Sequence, residues 1–179
     1  MRRVLVAFFT LFLLWVLVAQ LNHELSGAHV YLFVGGLFVT YSALLLRLRE
    51  GVIVTVLAGL LCDANMPIAL GISRLGFAFA HTHTILFAIA HIVIFHLRDR
   101  IPRGETAARV LVALFTNLAI FLLFSFTQIG HSPAPGLAWP RIIADLFISQ
   151  IFLVLVAPWF FAFQTRAFVL ARADRESVA

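Results

Sequence analysis

Residues 4–21 read VLVAFFTLFLLWVLVAQL, a run with no charged side chain and only Thr10 and Gln20 to interrupt its apolar character. A helix crossing the hydrocarbon core needs about 20 such residues, because each contributes about 1.5 Å of rise. Outward from it, comparable runs recur at 29–46, 52–70, 72–96, 110–126 and 142–163. They are separated by Asn22-His23-Glu24, by Arg47-Leu48-Arg49-Glu50, by Met66-Pro67, and by the stretches Arg98 to Arg109 and Gln128 to Arg141. The pattern predicts an all-α, polytopic transmembrane helix bundle of six spans, forming one integral membrane domain over 1–179. The break between the third and fourth runs is narrow, so a five-span arrangement follows if 52–70 is re-entrant.

Composition points the same way. Of 179 residues, 63% are hydrophobic and 12% charged, with a mean hydropathy of +1.04. A soluble domain carries about 25% charged and about 45–50% apolar residues. Six spans occupy about 120 residues, which leaves no room for a soluble catalytic domain. The 13 basic residues are all Arg and face 8 acids, for a net charge of +5 and a pI near 11.0. In a soluble chain that balance raises nucleic-acid binding. Here topology explains it, and no nucleic-acid partner is expected. With both termini cytoplasmic, Arg2, Arg3, Arg47, Arg49, Arg98, Arg100, Arg103, Arg109, Arg166, Arg172 and Arg175 fall on the inner side. Arg74 and Arg141 alone fall on the outer side, a strong positive-inside bias.

Smaller signals fit that topology. Arg2-Arg3 before an apolar run resembles a secretory leader, but Leu17-Val18-Ala19 lacks the small-x-small cleavage pattern, so an uncleaved first span is expected. Tyr31 and Trp139 are placed at the outer boundary, and Tyr41 and Trp159 toward the inner one. Cys62 is the single cysteine, so no internal disulfide forms.

Asp63 is the most expensive residue to bury. It lies about 18 Å into a helix that starts at Gly51, where an acid costs about 2.5–3.5 kcal/mol on insertion scales. Gly51, Thr55, Gly59 and Asp63 recur every four residues and share one stripe, which suits close approach of another helix or of a partner. Asn65, Met66, Pro67 and Leu70-Gly71 follow, and Pro67 is expected to break or turn the span in its outer third. The expected role for Asp63 is an ion pair with Arg74 across that turn, with a proton or ion site as the alternative. Asn117 in the fifth run and Asp145, Ser149 and Gln150 in the sixth read as interhelical polar contacts, Asp145 also lying beside Arg141. A transport path through Asp63, Asn117 and Asp145 is the sharper alternative.

His81, His83, His91 and His96 lie on the fourth run, but without the i, i+4 spacing that turns two rings to one metal. They read as neutral interior histidines bonding to neighbouring helices, and no metal site or cofactor is expected. No phosphate-binding loop, nucleophile elbow, HExxH pair or cysteine pair occurs, so no catalytic residue is assigned. The connector Leu97 to Glu105 carries mixed charge and reads as a solvated loop facing lipid phosphates or a cytoplasmic partner.

The run GVIVTVLAGLLCDANMPIALG over 51–71 resembles the central segment of the rod shape-determining protein MreD family, with Gly59, Asp63, Leu70 and Gly71 at matching positions. An Arg-led first span and a late APWFFAFQTR segment resemble that family more loosely. The resemblance implies a non-enzymatic component of the bacterial inner (cytoplasmic) membrane that acts in cell elongation and peptidoglycan synthesis. It implies binding to an MreC-like single-span protein, and action with MreB, RodA and a penicillin-binding transpeptidase. The histidine-rich fourth run and the absence of Lys depart from the family pattern. A solute-binding membrane subunit of a vitamin-type transporter is the alternative, although Ala7 and Ala19 stand too far apart for the docking stripe it requires. A haem protein or membrane-embedded enzyme using the histidines is a further one.

Overall fold

A computed structural model describes residues 1–69, 82–102, 105–129 and 135–171, with backbone alone at 65–69, 128–129 and 135–138. Among the described residues the protein is all-helical, without strands. Helix α1 covers Arg2–Leu25 and ends in a short 3-10 turn, Ser26–Ala28. It is followed by α2 (Gly35–Leu45), α3 (Leu48–Ala69) and α4 (Thr82–Leu97), then α5 (Thr106–Ile129) and α6 (Pro135–Leu170). Three segments, Arg2–Ala28, Thr106–Thr127 and Trp139–Leu170, are long and apolar enough to cross a membrane.

The helices form a closed ring around a centre. Contacts run from α1 to α3, on to α4, α5 and α6, and from α6 back to α1, while α2 touches α3, α4, α5 and α6. Residues 32–44 are all buried. The ring helices face inward through stripes at helical spacing, such as Ala7, Leu11, Leu14 and Val18 on α1. Their outward faces are also apolar: Phe9, Phe115, Phe147, Leu155 and Trp159 are at least 61% exposed. Thr10, Ser42, Thr55, Asn117, Ser149 and Gln164 are instead buried. A water-soluble protein would not expose so large an apolar surface.

Elements that follow one another along the chain alternate in direction. Arg3, Leu45, Glu50 and Arg98 meet at one end of the ring, joining the start of α1, the end of α2, the start of α3 and the end of α4. Asn22, Tyr31, Leu32 and Asp145 meet toward the other end. The ring of Tyr41, on α2, packs on Phe168 near the end of α6, with centroids 5.5 Å apart.

Two expectations are corrected. The run 29–46 is not a continuous helix, because α2 has 11 residues and follows an irregular stretch at 30–34. Five residues reach at most about 16 Å and the helix adds about 16 Å. Leu32 meets Asn22 near one end of α1 and Leu45 meets Arg3 at the other, so the element runs alongside most of that helix. The second correction concerns Pro67: α3 continues past it to Ala69 as a 22-residue helix, with no break at the proline. Pro67 lies in the last turn, so the missing N–H affects the carbonyl of Asp63 alone rather than a run of helix bonds. Tyr41, expected toward the inner boundary, is 4% exposed and packs inward on Phe168.

Candidate functional site

The irregular stretch before α2 creates the chemical problem that most of the buried polar residues solve. Backbone N–H and C=O groups outside a helix cost several kcal/mol each in apolar surroundings unless they find partners (roughly 2–7 kcal/mol). Here side chains from three ring helices supply them. From α1, Asn22 accepts the Leu32 N–H at 2.7 Å and donates to the Leu32 C=O at 2.9 Å. From α6, Asp145 accepts the Tyr31 N–H at 3.1 Å, and Ser149 accepts the Phe33 N–H at 2.9 Å. Ser149 also donates to the Tyr31 C=O at 3.4 Å. From α5, Asn117 donates to the Phe33 C=O at 3.0 Å and accepts the Gly36 N–H at 3.1 Å. Asn117 thus spans the junction where the irregular stretch becomes α2.

The other end of α2 is held by cations. Arg3 donates to the Leu45 C=O at 3.1 Å and lies 3.7 Å from the Glu50 carboxylate. Arg98 donates to the Leu46 C=O at 3.2 Å, its guanidinium also lying 3.8 Å from the centre of the Phe95 ring. Carbonyls at a helix C-terminus lack intrahelical donors and carry partial negative charge, so arginine suits them. Two residues that mark topology in the sequence therefore also terminate the central helix.

A second polar cluster joins α3 to α4. Asp63 is 7% exposed and accepts four hydrogen bonds, two at each oxygen. The His83 N–H at 2.9 Å and the His83 Nδ1–H at 2.8 Å meet Oδ1. The Thr84 N–H at 3.0 Å and the Thr84 hydroxyl at 2.6 Å meet Oδ2. Two of these donors are backbone amides in the first turn of α4, which no residue of that helix can satisfy. The carboxylate also sits at the positive end of the helix dipole. Asp63 is thus a helix cap supplied from a neighbouring helix.

The stripe of small residues brings the two helices close enough for this cap. A Cβ on Gly59 would lie 2.5 Å from the Thr84 Cα and 2.9 Å from its N, so only glycine fits against that backbone. A Cβ on Gly51 would run into the His91 ring. Between the two glycines, Thr55 Oγ1 lies 3.0 Å from His91 Nδ1 and 2.8 Å from Ser42 Oγ. Ser42 Oγ also lies 2.9 Å from the Val39 C=O, to which it donates. Each imidazole therefore has Nδ1 engaged with α3. Their Nε2 atoms are buried and without a hydrogen-bond partner among the described residues. The His83 ring sits among Phe124, Phe33 and Phe87, at centroid distances of 4.5, 5.8 and 6.0 Å.

The expected site residues thus divide into two groups. Gly51, Thr55, Gly59 and Asp63 do form one seam, and it is filled by α4 of the same chain. Asn117, Asp145 and Ser149 converge on the backbone of 31–36 rather than on one another. Asp145 also lies 3.8 Å from Arg141. Gln150 donates to the Leu114 C=O at 3.3 Å. Asn65 and Pro67 belong to the end of α3, while Leu70, Gly71, Arg74 and His81 lie outside the described residues. Asp63 takes four bonds from His83 and Thr84, and its expected pairing with Arg74 falls outside the described residues. His96 is exposed, beside Phe95. Among the described residues, no group of three or more His, Cys, Asp or Glu gathers as metal ligands would.

Several contributors carried little signal in the sequence. Asn22 reads as the polar end of a span, and Thr84 as one more residue of an apolar helix. Gln164, fully buried and donating to Thr10 at 3.2 Å, stands alone in its run. The pair Gly35-Gly36 was the available sign of a break, since consecutive glycines disfavour an unbroken helix.

No protein-family model, curated protein or solved structure matches this chain. Among the described residues, the chain is all-helical and has three membrane-compatible helices.

Proposed function

We propose that this protein is a non-enzymatic scaffold of a bacterial inner membrane, crossing it six times with both termini cytoplasmic. In this reading it serves the cell-elongation complex in the manner of the MreD family. The observation that carries the reading is the use made of the 51–71 stretch, on which the resemblance rests. Its Gly59 and Asp63 hold α4 against α3 and present nothing to solvent. Chemistry that locks helices together suits a rigid platform whose outer apolar surface is available to a single-span, MreC-like partner. MreB, RodA and a penicillin-binding transpeptidase would then be reached through that partner. The six-span topology is supported by the alternating direction of the helices and by the clustering of arginines at one end.

Depletion in the native bacterium tests the proposal. Conversion of rods to spheres, with loss of a co-purifying single-span protein, is the expected result. Unchanged shape with impaired uptake of one nutrient would overturn it. Reporter fusions at both termini test the topology, which requires each to report the cytoplasm.

One observation favours the transporter alternative, in which the chain is the solute-binding subunit of a vitamin-type system. The non-helical stretch at 30–34 resembles the broken helices with which transporters expose backbone groups to a substrate. In this protein, the groups at Tyr31, Leu32 and Phe33 are bonded to Asn22, Asn117, Asp145 and Ser149 instead. Scaffold is therefore the reading we adopt.

A further inference from the structure

One end of the helix ring carries a collar of arginines beyond those that hold α2. Arg2 precedes Arg3, which reaches Leu45 and Glu50. Arg49 precedes Glu50 in the first turn of α3. Arg100 follows Arg98, which reaches Leu46. Arg166 stands two residues before Phe168, whose ring packs on Tyr41. Each is thus tied to the same end by a neighbour's contact, and Arg2, Arg49, Arg100 and Arg166 are all exposed. They come from α1, α3, the turn after α4, and α6, so they are spread around the ring. Within about one turn of each, the outward side chains become apolar: Leu5, Ile53, Leu97 and Phe163 are all more than 40% exposed.

We infer that this collar is a binding surface for anionic phospholipid headgroups. The inference rests on the reading that the ring sits in a bilayer, and adds to it the class of lipid. A guanidinium offers two parallel N–H groups to two phosphate oxygens and sheds its water more readily than an ammonium does. The chain uses Arg at every one of its 13 basic positions. Glu50, the acid next to Arg49, is engaged by the buried Arg3. The apolar belt beside the arginines makes a lipid the fitting partner. Acyl chains continue the contact along Leu5, Ile53, Leu97 and Phe163, whereas a nucleic acid or an acidic soluble protein would leave those side chains in water.

The test is lipid co-purification from vesicles of phosphatidylcholine and phosphatidylglycerol in equal amounts, read by mass spectrometry. The expected result is a phosphatidylglycerol-to-phosphatidylcholine ratio about fivefold above the bulk ratio, the factor to which about 1 kcal/mol for a basic residue near an anionic surface converts. The R2Q/R49Q/R100Q/R166Q variant is expected to bring the ratio close to bulk, and the corresponding Lys variant to retain most of the enrichment. A bulk ratio with the native chain, or full enrichment with the Gln variant, would overturn the inference. So would displacement of the lipid by RNA. If the fourfold Gln variant does not assemble, R2Q/R49Q and R100Q/R166Q replace it. Each is expected to lose part of the enrichment, and full enrichment in both would equally overturn the inference. Failure of the native chain to enter vesicles of either pure lipid would instead reject the bilayer reading itself.

Discussion

Asn117 and Gly36 face each other across the α5–α2 contact, with the asparagine carbonyl accepting the glycine N–H at 3.1 Å. The approach is close enough that a Cβ on Gly36 would collide with the Ala113 carbonyl oxygen and come within 2.9 Å of the Asn117 Cβ. The pair therefore fixes both the polar partner and the separation of the two helices.

Asn117→Leu removes the partners of two buried backbone groups, Phe33 C=O and Gly36 N–H. Stranding a buried polar group costs about 1–3 kcal/mol, so a loss of about 2–4 kcal/mol is expected by unfolding in detergent. Gln164→Leu breaks a bond between two side chains, and such interhelical bonds average about 0.6 kcal/mol in membranes. A Gln164 variant as damaging as the Asn117 one would refute this distinction.

Asp63→Asn is expected to be milder than Asp63→Leu. The amide keeps one oxygen for the first turn of α4, whereas leucine strands all four donors from His83 and Thr84. Folded yield in membranes and thermal midpoint should both rank native, then Asn, then Leu. Equal loss in the two variants would argue that Asp63 acts through its charge alone.

Gly59→Ala should force α3 and α4 apart, because the obstacle is the Thr84 backbone rather than a flexible side chain. Overpacking of this kind costs about 1–3 kcal/mol. Gly36→Ala should behave similarly against Ala113, while Gly27→Ala, which meets nothing within 4 Å, should be silent. Thermal midpoints of the three variants supply the comparison.

Arg3→Gln is expected to loosen the C-terminal end of α2, where the native side chain reaches both Leu45 and Glu50. Hydrogen exchange at residues 45–50 should accelerate while the α5 core around Asn117 stays protected. Uniform acceleration throughout the chain would mean that Arg3 supports global rather than local structure.

Most of the helices were legible in the sequence because long apolar runs mark them, the narrow break between the third and fourth runs apart. The interior of the second run was not. Hydropathy records which side chains tolerate oil and is blind to whether the backbone between them is helical. The stretch 29–46 is as apolar as its neighbours, and the groups that let it depart from a helix lie 81 to 116 residues further on, at Asn117, Asp145 and Ser149. The glycine stripe was legible through its period of four, since spacing along one helix is a local property. What Asp63 binds was not, because His83 and Thr84 belong to another helix. Pro67 misled because the proline removes a single helix bond, the one to the Asp63 carbonyl, and α3 runs on two residues past it.

The enclosed position of α2 also bears on how the chain is made. Its preceding stretch leaves the ribosome well before Asn117, Asp145 and Ser149, which later hold its amide and carbonyl groups. Until α5 and α6 emerge, Leu32 has Asn22 as a partner, while the groups at Tyr31, Phe33 and Gly36 must bond to water or to the insertion machinery. The second hydrophobic segment to be synthesised is therefore among the last to reach its native partners. Maturation of this protein waits on its C-terminal third.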